Sequence, residues 1–598
     1  MKSKEQQSER SQQPMPKITF TDRDLTLEAQ PNETLLSCIR RAGLSVDSTC
    51  NGDGKCGKCR VTATGGLTPP DEKERKLLRG RPPGMRLACL TKVTGDARIA
   101  LSDQWTQLKA VLGQSDWKGT LDSPVRRAPL PETGEIDGTR PYVEGLAFRV
   151  ENPEVLNAVA LWDACGETAA SGVTFDEELL DVRRDATPLL GASVDVGTTS
   201  LSLCLYDLES GKMLGAGSAL NPQTAYGGDV ITRIGYCRKE EEGLSRLRAA
   251  VVKAVNEMLD EALHSHGASR DQVYLMTIAA NSTMLHIIAG VQPLSLALSP
   301  FRPIFLRRLT LQGAPAGLPI HPRGRCLLLP GASAYVGADI VAGLISVDYR
   351  SRPGTFLFID IGTNGEIVLV EDSGARMTAT SCAMGPALEG MNIACGCRAV
   401  PGAVSSFSLD GDLLPRFTTI DDQAPIGVCG SGLVDVVAAL LDAGLIAPGG
   451  AFNRKADPRL LARLREDRYF IADGVFLSQK DVRQVQLARG ALLTGVMVLL
   501  KETGHSPRDL DEIIVAGSFG YHLKADSLRA IGFIPEESAA PITYVGNSSL
   551  AGATAALLDR KCLKEMEDAA ESVRVLELGA HPDFRSNFMS NLRFPVRA

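Results

Sequence analysis

Asp195-Val196-Gly197-Thr198-Thr199-Ser200 and Asp360-Ile361-Gly362-Thr363-Asn364-Gly365 are two copies of one pattern in a single chain. Each follows an apolar run, Gly191-Ala192-Ser193-Val194 in the first and Phe356-Leu357-Phe358-Ile359 in the second. Each leads into another, Leu201-Ser202-Leu203 and Ile367-Val368. The pattern predicts strand, tight turn, strand. Its chemistry suits phosphate: Gly197 and Gly362 let the turn backbone turn its N–H groups toward oxygens, and Thr198, Thr199, Thr363 and Asn364 add side-chain donors. Asp195 and Asp360, at strand ends, are candidate catalytic carboxylates that can hold Mg²⁺ through water or orient an attacking water. One such turn is a weak signal. Two in matching settings predict a duplicated domain with a cleft between its halves.

Working outward, Glu512-Ile513-Ile514-Val515-Ala516-Gly517-Ser518-Phe519-Gly520 reads as a buried strand ending in a small-residue loop. Gly517, Ser518 and Gly520 leave room for a nucleotide's base and ribose against the backbone. Two phosphate segments followed by this adenosine segment resemble the actin/Hsp70/sugar-kinase (ASKHA) superfamily, which implies two βββαβα halves closing on ATP. Val545-Gly546-Asn547-Ser548 is a further turn and helix entry able to face that cleft. Asn281 reads either as a helix cap or as a nucleotide neighbour, and Asp339 as either structural or cleft-lining. Asp229 and Arg233, four apart on a helix face, read either as an i,i+4 pair or as cleft-lining. Cys395, Cys397 and Cys429 lack a fourth nearby ligand and are read as small-residue packing.

A second constellation lies near the N-terminus. Cys50, Cys56 and Cys59 sit in the glycine-rich loop Cys50-Asn51-Gly52-Asp53-Gly54-Lys55-Cys56-Gly57-Lys58-Cys59, and Cys89 follows alone. Four thiolates can hold a 2Fe–2S cluster or a structural zinc; zinc sites usually show two paired knuckles, and the isolated Cys89 favours the cluster. The longer first gap resembles the adrenodoxin-like branch of 2Fe–2S ferredoxins. Around the loop, strands at 17–20, 25–29, 60–63 and 97–101 and helices at 34–42, capped by Asn32 and ended by Gly43, and 71–78 have the order of a β-grasp ferredoxin. Cys38, on the apolar face of the first helix, is expected to be a buried thiol.

The chain has 598 residues, more than one core accommodates. A net charge of −7 argues against nucleic-acid and anionic-membrane partners. No apolar stretch is long enough for a membrane span, and the polar start reads as a tail rather than a secretory signal. With nothing marking export, the fourteen cysteines predict thiols in the cytoplasm rather than a disulfide framework. The expected organisation is a disordered tail (1–15), a ferredoxin-type domain (16–103), a Pro- and Gly-rich linker (104–142), a small middle domain (143–190) and the actin-like domain (191–598). The fold class is multidomain, α/β and α+β.

A 2Fe–2S ferredoxin joined to an ASKHA cleft resembles the ATP-dependent reductive activators of corrinoid-dependent enzymes. The resemblance spans nearly the whole chain and includes Asn221 to Arg233, Asn281 to Leu285 and Gly385-Pro386-Ala387-Leu388-Glu389-Gly390. It implies ATP, Mg²⁺ and a cluster as cofactors, one-electron reduction of Co(II) to Co(I) in a partner corrinoid protein or corrinoid/iron–sulfur protein, and an upstream low-potential reductant. It is compatible with a homodimer. A B12-binding D-x-H-x-x-G pattern is absent, since Ala262 stands where His264 and Gly267 would need an acid, so the corrinoid is expected on the partner. Three other readings stay open: an activator like those of the 2-hydroxyacyl-CoA dehydratases, a small-molecule kinase with an accessory ferredoxin, and a non-enzymatic redox sensor that binds nucleotide.

Overall fold

The computed structural model describes residues 15–22, 25–42, 44, 46, 52, 54, 57, 59–78, 83–101, 116–130, 141–165, 171–517 and 523–596. They fall into two compact units: 1–107 together with 222–236, and 108–221 together with 237–598.

In the first unit a five-stranded sheet runs in the order Leu25–Glu28, Lys17–Phe20, Val93–Leu101, Arg60–Leu67, Met85–Leu87. Lys17–Phe20 pairs parallel with Val93–Leu101 and the other pairings are antiparallel, the β-grasp arrangement. The helix Leu35–Arg41 buries Leu35, Leu36, Cys38 and Ile39 against this sheet. Its cap is Thr34, not Asn32. Thr34 is extended and its hydroxyl accepts from the Ser37 N–H, whereas Asn32 sits at φ 67 in the preceding turn and cannot present its side chain there. Gly43 lies outside the described residues. Cys38 is fully buried, as expected, and burial pushes its thiol up to about 11. Arg233 turns inward to the Gly227 carbonyl and Gln223 Oε1, while the Asp229 carboxylate caps its own helix by accepting from Thr232 N–H, so the Asp229–Arg233 pair gives way to capping.

The second unit contains the duplication. One six-stranded sheet runs Met213–Leu220, Ser200–Asp207, Leu190–Val196, Val273–Ala280, Arg325–Leu328, Leu309–Gln312; the other runs Arg574–Leu576, Arg376–Cys382, Gly365–Glu371, Phe356–Ile361, Glu512–Ala516, Ile542–Gly546. In both, three consecutive antiparallel strands meet two further strands running parallel to the first of the three. Both copies of the Asp-x-Gly-Thr turn join the first and second strands of that meander. The apolar runs before each turn are buried on both faces, which is why they read as unbroken hydrophobic stretches. A three-stranded sheet, Val125–Pro129, Ser171–Phe175, Glu178–Arg183, stands before the first half. Its first strand lies within the stretch expected as a linker. Val125 and Ala128 are buried, and this short alternation is masked in the sequence by the prolines around it.

The halves are joined where the helix Ala338–Ser346 crosses the helix Ser548–Leu558 at close range. A methyl group added at Gly552 would lie 2.0 Å from the Ala342 carbonyl oxygen. Gly552→Ala therefore forces two helix backbones apart, and we expect a loss of about 1–3 kcal/mol, read as a fall in Tm or in the urea midpoint. Among the described residues, no helix is long and apolar enough to cross a membrane.

Candidate functional site

The cysteine loop is described at Gly52, Gly54, Gly57, Cys59 and Cys89; Cys50 and Cys56 lie outside the described residues. The sulfurs of Cys59 and Cys89 are 3.2 Å apart, near enough for two thiolates on one tetrahedral iron. Gly52, Gly54 and Gly57 all have positive φ, at 91°, 66° and 66°. At Gly54 a Cβ would lie 2.7 Å from the Leu90 side chain. At these three described positions the backbone takes a left-handed conformation that favours glycine, in keeping with a loop that leaves room for a cluster. Arg40 is a partly buried cation in the field of Cys59 and Cys89, and its guanidinium lies 5.5 Å from the Tyr226 ring centroid. These residues fit a 2Fe–2S cluster, whose net negative charge a neighbouring guanidinium offsets.

In the second unit the two phosphate-type turns come together. The Thr199 hydroxyl donates to Glu389 Oε2 and the Thr363 hydroxyl to Glu389 Oε1, both at 2.5 Å, so one carboxylate joins the turn of each half. Gly197 is required by space rather than by φ: a Cβ would lie 2.7 Å from the Ser200 carbonyl oxygen. Asn221 braces the same turn, its N–H donating to Thr199 O at 2.9 Å and its amide to Gly197 O at 2.8 Å. Asn281 serves both of its expected roles. Its Oδ1 accepts from Met284 N–H as a helix cap, while its Nδ2 donates to Thr198 Oγ1 at 3.1 Å. In the second turn Gly362 N–H donates to the Asn364 carbonyl at 2.9 Å.

Asp195 is held by Asn547 Nδ2 at 2.9 Å and Ser549 Oγ at 2.8 Å, from the turn and helix entry that follow the strand Ile542–Gly546 of the opposite half. Asp339 and Asp360 share its surroundings. Burial pushes Asp360 up to about 7, with the Asp339 and Asp195 carboxyls adding to the shift. Asp339 is pushed up to about 7 by burial and by Asp195. Glu366, across the strand pair from Asp360, is raised well above the usual range by burial and by the same two neighbours, Asp339 and Asp360. Gly517, at φ 111, approaches this group closely: a Cβ would lie 2.5 Å from the Ile361 carbonyl and 3.2 Å from Asp360 Oδ1. Ser518 and Gly520 lie outside the described residues. Among the described residues, no three His, Cys, Asp or Glu side chains form a group able to hold a metal unaided. A cation here would draw on phosphate oxygens and water, as Mg²⁺ commonly does. Cys395 and Cys429 are buried and lie against the Gly474 and Val404 carbonyls, in keeping with packing.

Glu389, Glu366 and the Asn547–Ser549 grip on Asp195 go beyond what the sequence specified. The signal for Glu389 was an acid placed just before Gly390 in a glycine-flanked turn.

A β-grasp iron–sulfur domain and a duplicated actin-like nucleotide fold in one chain define an electron carrier fused to an ATPase. Family models match in that order: the 2Fe–2S iron–sulfur cluster binding domain over residues 18–94, the RACo middle region over 190–352, and the C-terminal, ASKHA domain of RACo over 354–598. The chain belongs to the RACo family, the reductive activators of corrinoid proteins. Corrinoid activation enzyme RamQ of Eubacterium limosum is 33% identical over 425 residues, 68% of this chain and 70% of that protein. The reductase of the Co(II) methylated amine-specific corrinoid protein of Methanosarcina barkeri is 26% identical over 44% of this chain and 51% of its own. A solved reductive activator for corrinoid,iron–sulfur protein superposes with a TM-score of 0.72 at 27% identity, covering 97% of this chain and 98% of that one.

Proposed function

We propose that this chain uses ATP to drive one-electron reduction of Co(II) to Co(I) in a partner corrinoid protein or corrinoid/iron–sulfur protein. The observation that carries the reading is the presence, in one chain, of cluster-type cysteines and a cleft in which threonines from two matched turns converge on one point. Residues 16–103 form the electron domain, the sheet that begins at Val125–Pro129 and ends at Glu178–Arg183 belongs to the small middle domain, and 191–598 form the ATPase. An upstream low-potential reductant is required, and the cytoplasm is the compartment that suits a cysteine-rich chain of this kind. The reading accommodates a homodimer.

A 2Fe–2S cluster held by Cys50, Cys56, Cys59 and Cys89 supplies single electrons. The rest falls to the cleft. Gly197, Thr198, Thr199, Gly362, Thr363 and Asn364 receive the phosphates, and Gly517, Ser518 and Gly520 receive the nucleoside. Asp195 and Asp360 hold Mg²⁺ through water and orient the attacking water. Each 59 mV of uphill one-electron transfer is about tenfold, or about 1.4 kcal/mol. A nucleotide supplies such a bias only if its affinity differs between two states of the chain.

Mixing the reduced, cluster-loaded protein with candidate corrinoid proteins should give loss of the Co(II) EPR signal that depends on ATP. Equal loss with and without ATP would refute the coupling.

The raised carboxyls add a pH dependence. Asp339 and Asp360 hold protons up to about pH 7, and Mg²⁺ competes with those protons. Apparent Mg²⁺ affinity in the presence of ATP should therefore climb from about pH 6 to about pH 8 and flatten above. Since both pKa values lie above the unfolded value, these groups favour the fold at low pH, and that contribution is lost as pH rises through about 7. Mg²⁺ with ATP should thus raise Tm more at about pH 8 than at about pH 6.

A further inference from the structure

Glu389 lies where the two halves meet, and the reading above uses its position but gives its carboxylate no role. Its carboxylate accepts the hydroxyls of Thr199 and Thr363 at 2.5 Å each, one from either half. A threonine hydroxyl has a single proton to donate. While both are given to Glu389, neither is available to a phosphate oxygen. Glu389 ends a short turn, Pro386–Glu389, bounded by Gly385 and Gly390, both at φ 75. Ala387 and Leu388 in that turn are buried in the core of the second half. The turn is thus anchored in one half while its acid reaches into the turn of the other.

We propose that Glu389 is an internal anion that stands in for the terminal phosphate of the nucleotide. Without ATP it ties the two phosphate turns together. The terminal phosphate takes the same two hydroxyls, and like-charge repulsion turns the carboxylate away. The tie between the halves then runs through the nucleotide, and it is lost again when that phosphate leaves. ADP, which lacks the third phosphate, leaves Glu389 in place. Glu389 is accordingly a positioning residue that competes with the terminal phosphate and makes the tie between the turns respond to it. This rests on the cleft being an ATP site.

The test is Glu389→Gln in the full chain, with Kd for ATP and for ADP measured by calorimetry in Mg²⁺. Glutamine keeps the shape and one acceptor but loses the charge. ATP is expected to bind about tenfold more tightly in the variant, with ADP affinity unchanged, which also reports that the cleft is folded. Equal shifts for ATP and ADP, no shift, or weaker ATP binding would each overturn the proposal. If the wild-type chain binds neither nucleotide, it is the ATP reading itself that fails. Thr199→Val provides a second variant: it removes one of the two hydroxyls for which carboxylate and phosphate compete, so the gain of about tenfold in ATP affinity given by Glu389→Gln should shrink when both changes are combined, and an undiminished gain would contradict the exchange.

Discussion

Replacing Cys59 with serine is expected to abolish the visible charge-transfer absorption of the cluster and all reduction of Co(II), while ATP binding stays at its wild-type level. Cys59 and Cys89 lie 3.2 Å apart, so the loss removes half of the thiolate pair that one iron would share. A hydroxyl is a poor substitute, because the ligand must be the deprotonated, soft sulfur. Loss of a partner that merely orients a ligand commonly costs 10–100-fold in metal affinity, and loss of the ligand itself should exceed about 100-fold. Cys38 is no substitute, since it is fully buried and its thiol is held up near 11. Iron analysis, the visible spectrum and nucleotide calorimetry on one preparation check the result. A variant that keeps the spectrum would show that the cluster is held elsewhere.

Asp360→Asn is expected to do the opposite. The cluster spectrum should remain, and ATP-dependent Co(II) reduction should fall about 10²–10³-fold, the scale seen when one preorganised polar group is removed from a reacting centre. The same change should leave Tm equal or higher. Asp360 is pushed up to about 7 by burial and by Asp339 and Asp195, so its ionised form is disfavoured in the folded chain. A neutral amide of the same shape relieves that repulsion. Activity lost without stability lost is the signature of a group retained for chemistry. ATPase turnover, Co(II) EPR and thermal melts on the variant decide it. Wild-type rates of Co(II) reduction would remove Asp360 from the coupling.

Elements whose determinants are near in sequence were legible. The two Asp-x-Gly-Thr turns, the cysteine loop and the helix burying Cys38 each owe their conformation to residues within about ten positions. Two of the misreadings were local and one was not. Asn32 and Thr34 are both good caps, and only the backbone chooses between them: φ 67 at Asn32 spends it on a turn, leaving Thr34 extended. The strand Val125–Pro129 was hidden because its partner, Ser171–Phe175, lies far along the chain. Asp229 and Arg233 have the spacing of an ion pair, yet the carboxylate satisfies an N–H of its own helix and the guanidinium goes to Gln223.

The sequence by itself determined the kind of chemistry: thiolates for a cluster, turns for phosphate, and a duplication that makes a cleft. Composition and spacing suffice there, since a turn that binds phosphate is built from its own backbone. Only the tertiary structure decided which groups face one another across that cleft. Asp195 is held by Asn547 and Ser549, 352 and 354 residues away, and Glu389 bridges Thr199 and Thr363. Such contacts depend on how two sheets and the crossing helices at Ala342 and Gly552 close on each other. The raised carboxyls follow from the same closure, because burial and the repulsion among Asp339, Asp360 and Glu366 arise only once separate strands and a helix bring those acids together.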